Sequence, residues 1–147
     1  MSGVNNFNLR VYGLLIYDNA VLVTDEHRGV SMTKFPGGGL EKGEGLADGL
    51  QREFMEELGI TIEVGRFFYV NDFLLISAFN SSDLLLSFYY EVFTNELTRI
   101  KIEAVKREMV KGEQFFRWVP LADLSPEQFT FPIDKVVCEM LVKNSEQ

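Results

Sequence analysis

Leu46, Leu50, Phe54 and Leu58 recur every fourth residue between Gly45 and Gly59, and no other feature of the chain restricts its fold as tightly. Side chains four apart share one face of an α-helix, so the spacing predicts an amphipathic helix with this stripe against a core. A glycine just past the last turn is the usual helix stop, which places the end at Gly59. At about 100° per residue, Glu53, Glu56 and Glu57 fall together on the flank beside the stripe. Like charges at this spacing oppose a helix, and the negative end of the macrodipole adds to the cost. A purely structural helix gains nothing from such a flank. A hard divalent cation with oxygen ligands relieves both penalties, and Mg2+ or Mn2+ is the natural choice. The plainer alternative is a solvated acidic face beside a glycine-rich segment.

The segment ahead of the helix, Phe35-Pro36-Gly37-Gly38-Gly39-Leu40-Glu41-Lys42-Gly43-Glu44-Gly45, packs five glycines into nine residues. It reads as an irregular loop whose backbone can approach a ligand or metal closely. Neither the phosphate-cradling Gly-x4-Gly-Lys-Ser/Thr loop nor a dinucleotide Gly-x-Gly-x-x-Gly fingerprint is present in it.

Loop and helix together spell one interval: Gly38, five residues, Glu44, seven residues, then Arg52-Glu53-Phe54-Met55-Glu56-Glu57-Leu58-Gly59-Ile60. This resembles the signature of the Nudix hydrolases, the MutT-like pyrophosphohydrolases that use a divalent metal to cleave nucleoside diphosphates linked to another group. The resemblance implies an α/β/α sandwich with a mixed β-sheet over nearly the full chain, although only these 23 residues are specific. It implies that Glu53, Glu56, Glu57 and a backbone carbonyl near Gly37 hold the metal, while Gly38, Glu44 and Gly59 shape the motif. Arg52 would then form an ion pair that orients a glutamate; its other use is to offset the local acidity. Phe54 stands where the family is usually aliphatic, a change that keeps the packing role.

Pyrophosphate hydrolysis needs a water made more nucleophilic and a leaving phosphate whose charge is neutralised, and carboxylate-held metal can supply both. The family takes the proton either on a motif glutamate, here Glu53, or on an acidic residue of a distant loop. Glu103, Glu108 and Glu113 are the loop candidates, with Glu113, just before a strand at Gln114, best placed; each also reads as an ordinary surface carboxylate. Arg10, Arg28 and Lys34 are candidates for substrate phosphates or plain surface charge, with Arg28 and Lys34 preferred. The lone His27 sits in a polar stretch and reads as solvated. Asp134, in the Phe131-Pro132-Ile133-Asp134 run opening the last helix, resembles the place where some relatives contact a base; a negative charge is also favourable in a first helical turn. Leu75, Ile76, Ser77 and Ala78 occupy the region where subfamilies acting on ADP-ribose or diadenosine polyphosphates carry Pro or Tyr. A nucleoside triphosphate or a nucleotide sugar is therefore the expected substrate. ADP-ribose or dinucleotide hydrolysis is the alternative within the family. A nucleotide-sensing domain of the same family without turnover and an aromatic partner-binding protein are the alternatives that are not enzymes. Retention of all four motif glutamates favours chemistry.

At 147 residues, with 46% hydrophobic and 13% aromatic side chains, the chain is expected to form one domain over 1–147 around its own core. Only the ends 1–7 and 144–147 look loose. No apolar run of spanning length or signal peptide is visible, and the single cysteine, Cys138, lies in an apolar run and reads as core, so a cytoplasmic setting is expected. A net charge of −8 excludes non-specific binding of nucleic-acid polymers but not a small polyanion bridged by metal. Strands are expected over 9–17, 20–24, 84–93 and 114–119, with a strand-rich stretch over 61–79 and a loop over 25–33. The apolar runs at 73–76 and 84–86 suit strands covered on both faces, with a homodimer contact as the other use of that surface.

Overall fold

Residues 6–17 already set the frame, because one long strand serves as the partner of three others. In the computed structural model, which describes residues 6–77 and 80–146, strand β1 (Asn6–Tyr17) turns back through Asp18 and Asn19, both at positive φ, into β2 (Ala20–His27). β2 continues past its expected end and pairs with β3 (Ser31–Lys34), so most of the expected 25–33 loop is a hairpin. The glycine-rich segment contains a strand as well, β4 (Gly37–Gly39), antiparallel to β1 with Val11 opposite Gly38. The expected irregular loop is regular here because residues without Cβ can lie flat against a neighbouring strand.

The helix predicted by the apolar stripe is α1 (Leu46–Leu58), ended by Gly59 at φ 68°, whose N–H bonds Met55 O. β5 (Glu63–Val70) and β6 (Asp83–Phe93) follow, then β7 (Gln114–Pro120) and α2 (Pro132–Ser145). β6 runs parallel to β1 from Asn6↔Asp83 to Leu15↔Val92 and antiparallel to β5, while β7 is antiparallel to β2. The sheet is therefore mixed, with the path β3-β2-β1-β6-β5 and β4 and β7 attached to β1 and β2. Asn6 and Phe7 belong to β1 and residues 144–145 to α2, so the ordered fold reaches further than expected at both ends. Residues 1–5 and 147 lie outside the described residues, as do Ala78 and Phe79 of the expected strand-rich stretch.

Side chains alternate between two cores. Val11, Leu15 and Leu22 join Leu50 and Phe54 of α1 on one face, while Tyr12, Leu14, Val21 and Val23 join Val137, Cys138 and Leu141 of α2 on the other. This is the α/β/α sandwich. The expectation that 73–76 forms a covered strand is corrected: the segment follows β5 outside any named strand, is tied to β6 by a single bridge at Ile76↔Leu84, and leaves Leu74 71% exposed.

Candidate active site

The acidic flank of α1 faces β4, and the meeting depends on a missing side chain. A Cβ on Gly38 would stand 2.7 Å from the Glu53 carboxylate, and one on Gly37, at φ +149°, would collide with the Val11 carbonyl. The Glu53 carboxylate therefore rests on the Gly38 backbone, its side chain only 13% exposed. Burial raises its pKa, with Arg52 opposing.

Arg52 organises the motif. Its Nη2 donates to Glu44 Oε1 at 2.7 Å and to the Gly39 carbonyl at 3.0 Å. Its Nη1 donates to Glu53 Oε1 at 3.2 Å and to Glu56 Oε2 at 3.0 Å, and its Nε completes the contact with Glu44. Glu44 also accepts the Glu41 N–H; the Arg52 hydrogen bonds first, then that one, hold its carboxyl below the usual range. One guanidinium thus hydrogen-bonds three motif glutamates and the end of β4.

Glu57 points away from this arginine. Burial pushes its pKa up to about 7, with Lys34 and a Gln114 hydrogen bond opposing and the charges of Glu53 and Glu26 adding to it. Glu26 is itself buried on β2; its Oε1 lies 3.0 Å from Lys34 Nζ but in an orientation that leaves it without a hydrogen-bond donor. Glu53 and Glu26 have ion-pair partners in Arg52 and Lys34, while among the described residues Glu57 has none. Their hard oxygen donors fit a divalent cation in chemistry and charge. Among the described residues, however, no three acidic, His or Cys side chains converge into a ready-made metal cage. Glu53 and Glu56 are drawn to Arg52, and Glu57 is held by Gln114.

Beside this site opens a cavity of about 410 Å³ between β1, β6 and the start of α2. Arg10, Arg28, Lys34 and Asp134 all line it, so the candidates for substrate contact come together, along with Tyr12, Tyr89 and Phe131. Lys34 is paired with Glu26, and Arg28 sits exposed on the turn after β2. Asp134 is only 3% exposed and accepts the Tyr89 hydroxyl at 2.6 Å; burial pushes its pKa to about 7, outweighing that hydrogen bond. His27 accepts the Gly29 N–H on its Nδ1 and lines neither this cavity nor the next.

Glu113 does not fit the part of proton acceptor. It immediately precedes β7, as expected, but its carboxylate accepts the Val110 N–H at 2.8 Å and a hydrogen bond from Arg107 at 3.2 Å. These contacts, the Val110 bond first, lower its pKa. It lies with Glu57, Glu103 and Arg107 in a second cleft of about 350 Å³; Glu108 lines neither opening.

Sequence reasoning passed over Glu26, Gln114, Tyr12 and Tyr89. The two acids Asp25 and Glu26 at the end of an apolar strand were the available signal for the first. The other three are placed by pairing between strands far apart in sequence and left no local mark.

Comparison with known proteins adds an independent line. The NUDIX domain model matches residues 7–140. Nucleoside diphosphate-linked moiety X motif 6 of Mus musculus is 30% identical over 123 residues, covering 83% of this chain but only 36% of its own length. Among solved structures, the E. coli ORF135 protein superposes with a TM-score of 0.68 at 18% identity, covering 95% of this chain and 93% of that one. The MutT protein from Methanosarcina mazei Go1 gives 0.67 at 17% identity, covering 97% and 98%. A structure from work on MutT of Aliivibrio salmonicida and Vibrio cholerae gives 0.65 at 23% identity, covering 94% and 98%. At these identities the structures speak for the fold.

Proposed function

This chain belongs to the NUDIX domain family, and from that premise we propose that it hydrolyses the pyrophosphate bond of a nucleoside diphosphate-linked substrate in an Mg2+- or Mn2+-dependent reaction. Within that class a nucleoside triphosphate or a nucleotide sugar is the favoured substrate. The observation that carries this reading is the Arg52 hub, which holds Glu44, Glu53 and Glu56 against the end of β4 beside a cavity lined by three cationic side chains.

Glu53, Glu56 and Glu57, with the Gly37 carbonyl, would hold the metal. When bound, the cation supplies a Lewis acid that lowers the pKa of water and neutralises charge on the departing phosphate. The remaining roles belong to the chain. Arg52 keeps Glu53 and Glu56 in position by direct hydrogen bonds. Glu53, seated on Gly38 with little exposure, takes the proton from the attacking water on a carboxylate oxygen. The cavity binds the nucleoside portion and excludes water from it. Among the described residues no helix is long and apolar enough to cross a membrane; a cytoplasmic setting and a small-molecule substrate belong to this reading.

A screen across nucleoside triphosphates, nucleotide sugars, ADP-ribose and dinucleotides, with Mg2+ and with EDTA, read as release of the shortened nucleotide product by ion-exchange chromatography, tests it. Release from at least one phosphorylated nucleotide in Mg2+, abolished by EDTA, is the expected result. Release from none of them, or release indifferent to EDTA, contradicts the assignment.

A further inference from the structure

Three cations line the cavity, and they are not equivalent. Lys34 spends its charge on Glu26, 3.0 Å away. Arg28 stands exposed, and no side-chain bond to another described residue fixes it. Arg10 is different: its Nε donates to the Tyr12 hydroxyl at 2.6 Å, and its guanidinium carbon lies 5.7 Å from the Tyr12 ring centroid. Tyr12 is itself only 7% exposed and stacks on Tyr89 at 5.0 Å, so the support beneath the guanidinium cannot swing away. Among the described residues no carboxylate forms an ion pair with Arg10, and its terminal amines remain available.

Its place in the fold matters as much. Arg10 pairs across the sheet with Gly39, and a Cβ there would stand 3.5 Å from Arg10 Nη1. The same Gly39 gives its carbonyl to Arg52, and the neighbouring Gly38 carries the Glu53 carboxylate. Arg10 therefore reaches from the cavity to the edge of the acidic motif, within Coulombic range of Glu53. A held guanidinium fork suits two phosphate oxygens at once, in a way that an ammonium does not.

We propose that Arg10 grips the phosphate attached to the nucleoside of the substrate, at the boundary between cavity and motif, and that Tyr12 is the positioning residue that holds Arg10 for this contact. This rests on the reading of the substrate as a nucleoside diphosphate-linked compound. It ranks Arg10 above Lys34 and Arg28 in phosphate binding.

Calorimetric titration with the non-hydrolysable α,β-methylene analogues of ADP, GDP, CDP and UDP in Mg2+ tests the proposal without requiring turnover. The wild type binds at least one of the four. Arg10→Gln weakens that binding by about tenfold or more, the loss of a charge-assisted contact. Arg10→Lys, which keeps the charge but loses the fork, still weakens it by roughly threefold or more, and carries the test if the glutamine variant does not fold. Arg66→Gln makes the same charge change at an exposed site outside the cavity and stays within about twofold of wild type. Tyr12→Phe keeps the ring stack, weakens binding on its own and adds nothing in the Arg10→Gln background, because both changes break one contact. Binding by Arg10→Gln equal to wild type, an equal loss in Arg66→Gln, additive losses for the Tyr12 pair, or no nucleotide bound by the wild type overturns the proposal. A parallel assay of nucleotide product formation separates the two readings. Arg10-dependent binding with no wild-type turnover keeps the grip and sinks the hydrolase assignment. Turnover and KM unchanged in Arg10→Gln do the reverse.

Discussion

At the scale of single residues the candidate site turns on Gly38. Its φ is ordinary, so the backbone does not demand glycine there; the Glu53 carboxylate does, since a methyl group would meet it at 2.7 Å. Gly38→Ala should therefore displace a site carboxylate without straining the chain. A misplacement of this order lowers kcat by about a hundredfold, while the melting temperature falls by only a few degrees. A large loss of stability with proportionate activity would show that Gly38 serves the fold instead. Arg52 follows the same logic, as its four partners leave it no freedom to serve elsewhere. At this scale the motif interval singles out Glu53, Glu56, Glu57, Gly38 and Arg52, and α1 and β4 carry all five. Their hydrogen-bond states were not legible in it, because whether a carboxylate is raised or lowered depends on burial and on neighbours such as Gln114 and Glu26 that no local spacing reveals.

Among the elements, α1 and its caps were legible because a four-residue stripe and a glycine stop are local signals. β3 and the far end of β2 were not. Asp25, Glu26, Thr33 and Lys34 look like loop residues, yet all four are buried and bonded across strands. Asp25 is satisfied by Arg117 at 2.6 Å, a partner 92 residues away in β7. Arg117→Gln should leave that buried carboxylate unpaired and cost about 3 kcal/mol or more, read as a shift of the urea midpoint; a change below the scatter of the melt would show the pair to be dispensable. The 73–76 run misled in the opposite direction, since apolar composition alone does not distinguish a covered strand from an exposed cavity wall. The join between β6 and α2 adds a pH dependence. Burial raises Asp134 from 3.8 to about 7 in the folded protein, so between those values the native state holds a proton that the unfolded chain has lost. Stability therefore falls as pH rises from about 4 to about 7 and levels above that range, with a slope of roughly 1 kcal/mol per pH unit. Asp134→Asn should remove its share of this slope while Glu57, raised likewise, keeps its own; a slope unchanged in the variant would show the aspartate to be charged in the fold.

For the whole molecule, the mixed sheet between two helices is what the motif's resemblance implied, and its membership of the NUDIX domain family agrees with it. The substrate does not follow, because the cavity is assembled from β1, the β2–β3 hairpin, β6, the 75–77 segment and the start of α2, elements spread along most of the chain. A chain of net charge −8 that is to hold a polyphosphate beside four glutamates needs cations beyond its own. The most direct measurement of that claim is titration calorimetry with Mg2+ and Mn2+, with and without nucleotide, on the wild type and on Glu57→Gln. Saturable uptake by the wild type, weakened about tenfold or more in a variant of unchanged fold, is the predicted result. No uptake even with nucleotide present, or equal uptake by both proteins, would contradict the account.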